Sequence, residues 1–299
     1  MPDLIRIHPE VRAALEARRP VVALETTLVS HGFPQGEGAA VAAEAERRVR
    51  AAWAVPATIG VVDGVIQVGL TESELERFAD SPGARKVGPR DLAACAAQGE
   101  LGATTAGATL AVCRAVGIGF LGTGGLGGVH RGWSGRLDIS ADLGELARTE
   151  ALVVASGAKS LLDVQATAEL LETIGVPVLG WRTDTIPLFY AREGGPRVST
   201  RVLTVEETAR IAQYHWRLGR HSALLLARPP DESLDVEPLI AEGVAEAERQ
   251  GVHGPDVTPF VLAYLHEASG GKTVDVNKKL IVENAALAAE VAVAYSRLG

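Results

Sequence analysis

The sequence predicts an α/β fold, three layers with helices on both faces of a largely parallel or mixed central sheet. Two observations carry this. Short apolar, β-branched runs alternate along the chain with Ala- and Glu-rich stretches of helical period. The chain is also long and apolar enough for a sizeable core, 299 residues of which 47% are hydrophobic. The spacing places strands at 21–24, 58–62, 117–121, 151–155, 178–180 and 223–227. Helices are predicted at 38–52, 163–174, 205–218, 238–250, 258–269 and 277–298, and Thr71 with Glu74 has capping-box spacing that starts another near Thr71. In the first helix, Glu44/Arg48 and Glu46/Arg50 at i,i+4 are expected to brace the exposed face. No repeat, low-complexity segment or Pro/Ser linker divides the chain, so a single domain over 1–299 is expected.

Bulk charge excludes some partners. The net charge is −8 and no basic run occurs, which argues against a nucleic-acid footprint. An acidic protein that binds an acidic small molecule must do so locally, through Arg, Lys, backbone N–H groups or a metal. Cys95 and Cys113 lack metal or redox spacing and read as small core residues. No stretch is apolar enough to span a bilayer and the N-terminus has no signal pattern, so no membrane partner and a cytoplasmic location are expected.

Three segments carry chemistry, each just beyond a predicted strand. In such sheets ligands gather where strands end, so the three are expected to converge. Residues 120–132, FLGTGGLGGVHRG, open an apolar strand onto six glycines after Leu121, with His130 and Arg131. Glycine leaves main-chain N–H groups approachable by an anion such as a phosphate, and Arg131 is expected to add charge-assisted bonds. Residues 137–143, LDISADL, supply Asp138 and Asp142, which project from one face if the segment is helical and suit a hard cation that keeps several waters. Residues 153–163, VVASGAKSLLD, place Lys159 at the end of a further strand. An amine held partly out of water is available as a nucleophile toward a sugar aldehyde, and the alternative is an electrostatic clamp.

Other residues divide between a functional and a structural role. Glu25 ends a buried strand, where poor solvation suits a carboxyl to hold a proton at neutral pH, or else it caps the following turn. His130 orients a ligand, moves a proton or is a hydrogen-bonded structural residue. Lys86 is a surface lysine or a phosphate contact. The GATTAGATL segment, 102–110, serves close ligand approach or tight helix packing. The glycine pattern lacks the acidic residue of a nicotinamide site, so that cofactor is discounted.

Taken together, ALETTLVSHG, VPATIGVVDG, KVGPRDL, GATTAGATL, GTGGLGGVHRG, DISADL, SGAKSLLD and ENAALAAEVA resemble the pseudouridine-5'-phosphate glycosidase (indigoidine synthase A-like) family from about Pro9 onward. The resemblance implies reversible cleavage of the C–C glycosidic bond of pseudouridine 5'-phosphate to uracil and ribose 5-phosphate, one Mn²⁺ per subunit, and a homotrimer. Carried residue by residue, it makes Lys159 the nucleophile that captures the opened sugar and Glu25 the proton donor. Asp138 would hold the metal, with Asp142 as the alternative ligand; Ser140, Ala141, Asp142, Lys86, Ala106, His130 and Asn284 would face substrate. One segment departs from the family pattern: Arg228-Pro229-Pro230 stands where an Asn-Pro-Ile-Pro-like run is expected, a fixed cation in place of a neutral amide, which bears on substrate identity rather than reaction class. The chemistry leaves two rivals, a Schiff-base aldolase or isomerase acting on a phosphosugar or related C-riboside, and a phosphometabolite-binding module.

Overall fold

The structure is a computed structural model that describes residues 4–34, 36–81, 83–133, 135, 137–159, 161–252 and 257–298, with no side-chain description for 258 and 259. In chain order the elements are β1 (Ile5–Ile7), α1 (Pro9–Glu16), β2 (Val21–Glu25), α2 (Thr27–His31), α3 (Glu37–Ala51), β3 (Val55–Val62), β4 (Val65–Val68), α4 (Glu72–Asp80), β5 (Arg85–Val87), α5 (Leu92–Ala97), β6 (Gly102–Thr104) and α6 (Ala106–Val116). There follow β7 (Phe120–Gly122), α7 (Ala141–Leu146), β8 (Leu152–Ala155), α8 (Val164–Thr173), β9 (Val178–Trp181), β10 (Thr200–Val202), α9 (Val205–Arg217), β11 (Leu224–Ala227), α10 (Glu237–Arg249), α11 (Val257–Ala268) and α12 (Lys272–Ser296).

The main strand order is β1-β4-β3-β2-β7-β8-β11-β9-β10, with β6 on β3 and β5 on β6. Among the paired strands of the described residues, only β3–β4 and β3–β6 run antiparallel. Central strands β2, β3, β8 and β11 are buried along their whole length, which is why they read as continuous apolar runs rather than alternating ones. The pleat nevertheless sorts them: Val22, Leu24, Val154 and Leu226 enter the core beneath α3, α9 and α12, whereas Val21, Ala23, Val153 and Leu225 enter the core beneath α1, α6 and α8. The expected three layers are present, with a mixed and mostly parallel sheet.

Helix α12 lies directly on the sheet because its inner face is built from alanines 285, 288, 289 and 292. A Cβ on Gly122 of β7 would stand 2.7 Å from the Ala285 Cα. That atom is backbone and cannot turn away, so Gly122→Ala is expected to cost roughly 1–3 kcal/mol through displacement of α12. A fall in Tm of several degrees by calorimetry checks this; an unchanged Tm would show that the contact yields without cost.

Several local expectations change. The capping box at Thr71 is present, with Thr71 N donating to Glu74 Oε2 at 2.8 Å and Glu74 N to Thr71 Oγ1 at 3.3 Å. The i,i+4 pairs in α3 are absent: Glu44 pairs with Arg47, Arg48 with Glu283 of α12, and Arg50 with Glu10 of α1. Glu46 turns inward to accept from Thr58 Oγ1, and burial pushes its carboxyl up. The reason is tertiary, since α3 is packed between α12 and β3 and its charges find partners across those contacts. The strand expected at 117–121 starts later, at Phe120, because Gly117 takes a left-handed φ of 81° as the C-cap of α6. Helix α12 begins at Lys272, five residues before the expected start, after Gly271 in a left-handed conformation. Cys95 and Cys113 are free and buried, as core residues.

Candidate active site

Strands β2, β7, β8 and β11 are mutually parallel, so their carboxyl ends open on one edge. Glu25 ends β2, Thr123 follows β7, Ser156 follows β8 and Arg228 follows β11. Glu25 is 5% exposed. Thr123 Oγ1 donates to its Oε1. Burial raises the Glu25 carboxyl to about 7; the Lys159 charge, the Thr123 bond and Lys86 oppose the rise, and Asp142 adds to it. Two lysines and two carboxylates from β2, β5, α7 and the loop after β8 therefore act on one another across a single place.

The turn after Glu25 is held by hydroxyls. Thr26 Oγ1 donates to Ile59 O at 2.8 Å and accepts from Thr104 N at 2.8 Å, while Thr104 Oγ1 donates to Ile59 O at 2.7 Å and accepts from Thr109 Oγ1 at 3.0 Å. These bonds knit β2, β3, β6 and α6 together behind the carboxylate and fix its approach.

Lys159 is half-buried, and its backbone is stitched to the glycine-rich loop: its N–H donates to Leu126 O at 3.0 Å, and Leu126 N donates to Gly157 O at 3.1 Å. Lys86 is open to solvent on one side, yet protein walls its other side, and burial followed by the Lys159 charge pushes its amine down. Asp142 is buried, and its two oxygens accept from Gly107 N at 2.8 Å and Gly127 N at 2.9 Å. It thereby clamps the first turn of α6 to the loop after β7. Asn284 of α12 is fully buried; its Nδ2 donates to Thr123 O at 2.8 Å and Ser156 Oγ at 3.1 Å, fixing the ends of β7 and β8.

The loop after β7 differs in detail from the anion cradle expected of it. Gly122, Gly124, Gly125, Gly127 and Gly128 are small because other groups press on them: Ala285, Ile281, Phe189, Ser140 and Thr167. The Thr123, Leu126, Gly127 and Val129 amides donate to protein acceptors, whereas among the described residues no protein acceptor takes the Gly124, Gly125 or Gly128 amide. Arg131 pairs with Glu237 of α10 at 2.6 Å, so it ties the loop to that helix. Arg228 pairs through one nitrogen with both oxygens of Asp231, at 2.9 and 3.0 Å, so the cation that departs from the family pattern is neutralised within its own turn.

Asp138 and Asp142 do not share a helix face. Ser140 caps α7, accepting from Asp142 N at 3.2 Å, so Asp142 lies in the first turn and Asp138 lies before the helix. Asp138 instead pairs its strand-like arm with His130: His130 N donates to Asp138 O at 3.0 Å, and His130 Nδ1 stands 3.9 Å from Asp138 Oδ2. Ala141 is exposed beside the cap, and Ala106 is buried as the first residue of α6. Among the described residues no group of three or more His, Cys, Asp or Glu side chains is arranged to hold a metal. A surface groove lined by Glu169, Arg197, His215 and Arg220 holds none of the residues named above, and the chemistry places the site at the strand ends instead.

Comparison with known proteins places the chain in a family. The profile of the family described as Indigoidine synthase A like protein matches residues 10–294. The chain belongs to this family. It is 44% identical over 303 residues to the pseudouridine-5'-phosphate glycosidase of Escherichia coli, covering 99% of this chain and 97% of that protein. It is 46% identical over 291 residues to the enzyme of the same name from Saccharopolyspora erythraea, covering 96% of each. Among solved structures, the prealnumycin C-glycosynthase AlnA in complex with ribulose 5-phosphate superposes with a TM-score of 0.91 at 41% identity, covering 100% of this chain and 99% of that one.

Within this indigoidine synthase A-like chain, Glu25, Lys86, Asp142 and Lys159 share one electrostatic neighbourhood, with Asn284 beneath the adjoining strand ends. Sequence reasoning assigned no role to Thr123 or Ser156. A lone hydroxyl next to glycines gives no signal until strand register brings it to a carboxylate or an amide. No helix among the described residues is long and apolar enough to cross a membrane.

Proposed function

We propose that the chain reversibly cleaves the C–C glycosidic bond of pseudouridine 5'-phosphate, giving uracil and ribose 5-phosphate. The observation that carries this is a buried Glu25, with its carboxyl raised to about 7, within electrostatic reach of Lys159 and Lys86. A C-glycoside has no heteroatom leaving group, so the two-carboxylate route used on O-glycosides has nothing easy to protonate. The neutral amine of Lys159 adds at C1', the C1'–O4' bond breaks and the proton goes to O4'. The nitrogen lone pair then forms the C1' imine as the C1'–C5 bond breaks, its electron pair leaves on C5 of uracil, and Glu25 delivers a proton there. Water hydrolyses the imine, releasing ribose 5-phosphate and restoring Lys159. Lys86 and the Gly124, Gly125 and Gly128 amides offer the positive charge and donors that a phosphate needs.

For the divalent cation that the family resemblance implies, Asp138 offers one carboxylate beside the His130 ring, 3.9 Å away, and water or ligand oxygens would have to complete the shell. Mn²⁺ bound there would supply fixed positive charge to an oxygen-rich ligand. Asp142 offers less to a cation, because each of its oxygens already accepts one main-chain hydrogen bond. We also propose a cytoplasmic homotrimer. Trp133, Leu137 and Ile139, near His130 and Asp138 in sequence, are exposed, Leu137 by 78%, and association would cover them.

Incubation with pseudouridine 5'-phosphate and Mn²⁺ should release uracil and ribose 5-phosphate in equal amounts, measured by chromatography, and the reverse mixture should require uracil. Rearrangement or cleavage of ribose 5-phosphate without uracil would instead establish the aldolase or isomerase reading.

A further inference from the structure

Asn277 lies two helical turns before Asn284 on the same face of α12. Contacts between this helix and the end of β7 run in opposite directions along the two chains. Ala285 presses on Gly122, Asn284 donates to Thr123 O and Gly124 O, and the Asn277 Oδ1 lies 3.6 Å from where a Cβ on Gly124 would stand. Asn277 is thus further out over the loop that follows β7, on the ligand edge of the sheet. It is 3% exposed, and among the described residues no donor reaches its buried Oδ1 or that of Asn284. Leu280 and Ile281, which flank it at Gly124, are apolar and supply none.

A buried acceptor without a donor costs free energy in the unliganded protein, so its retention calls for a partner that arrives from outside. We propose that Asn277 is a base-reading residue, its amide oxygen accepting a ring N–H of the uracil. This rests on the reaction proposed above. In pseudouridine the base is attached through C5, so N1–H and N3–H are both free donors, whereas a base attached through N1 keeps only N3–H. An acceptor beside Gly124 is therefore suited to a C5-linked uracil, and the base reaches it as the side chains of Leu280 and Ile281, which pack at Gly124, give way. The amide touches the ligand directly and takes no part in bond making or breaking.

The test uses the full chain in the synthetic direction, with ribose 5-phosphate and uracil, and with 1-methyluracil and 3-methyluracil as competing bases. Asn277→Leu is expected to raise the KM for uracil roughly 10- to 100-fold. For the methylated base that already lacks the relevant N–H, wild type and variant are expected to give the same inhibition constant. Leucine at this position removes an unsatisfied polar atom, so Tm should be equal to wild type or higher, which separates lost recognition from a lost fold. A variant with a wild-type KM for uracil, or with all three bases weakened by one common factor, overturns the assignment of Asn277. Wild-type enzyme that makes no pseudouridine 5'-phosphate overturns the reaction itself and Asn277 with it, an outcome distinct from an active wild type beside an unaltered variant.

Discussion

Lys159→Ala is expected to lose at least about 10³-fold in kcat, because the proposed bond to C1' cannot form without the amine. The fold should survive. The side chain is only half-buried, and the bonds that hold this loop, Lys159 N to Leu126 O and Leu162 N to Lys159 O, both 3.0 Å, are main-chain bonds that alanine keeps. Lys159→Arg keeps a cation without an addable amine and should be equally inactive, separating nucleophile from clamp. Borohydride treatment with ribose 5-phosphate should add the mass of one reduced phosphopentose to wild type and nothing to either variant, read by intact-mass spectrometry. Near-normal uracil release from Lys159→Ala would sink the covalent route.

The second large effect is the opposite pH dependence of the two directions. Cleavage needs Glu25 protonated so that it can give its proton to C5; synthesis needs it ionised to take that proton away. With the carboxyl raised to about 7 in the free protein, kcat for cleavage should fall as pH rises past its ionisation in the substrate complex, and kcat for synthesis should rise past its ionisation in the complex with uracil and the sugar. Glu25→Gln should abolish both. The same group carries a stability cost. Its carboxyl binds a proton more tightly folded than unfolded, about 7 against 4.5. Folding stability contributed by this site is therefore greatest below about 4.5, declines up to about 7 and stays low above it, by an amount on the order of 3 kcal/mol. Glu25→Gln removes the ionisation while keeping an acceptor for Thr123, so the inactive variant should melt several degrees above wild type at about pH 8 and lose that advantage at about pH 5. Parallel pH profiles for cleavage and synthesis, or a variant less stable at high pH, would remove Glu25 from the role.

The central strands were legible because burial on both faces leaves uninterrupted apolar runs, and β2, β8, β9 and β11 lie within a residue or so of their expected positions. The short strands β1, β4, β5, β6 and β10, at or next to the sheet's edges, were not. They are three or four residues long, and β5 and β6 are defined by their pairing with each other and β3, a relation between distant segments rather than a local pattern. Helices α6 and α7 were hidden for another reason: glycine and threonine mask the period of α6, and α7 is one and a half turns long. In the site, Glu25 and Lys159 stood out because charged residues at the ends of apolar strands are chemically conspicuous, whereas Lys86, in the middle of the short β5, read equally as a surface lysine. What could not be read was the pairing of charges, since Arg131 with Glu237, and Arg228 with Asp231, have partners fixed by loop geometry.

The sealing of Glu25 behind Thr26, Thr104 and Thr123 has a consequence for the hydrogen inventory of the reaction. A carboxyl cut off from bulk water exchanges its hydron slowly, so in the proposed reaction the hydron taken from C5 of uracil during synthesis is expected to stay on Glu25 while the sugar remains attached. Reversal from that state hands the same isotope back to the same carbon, and a label at C5 outlasts many unproductive cycles.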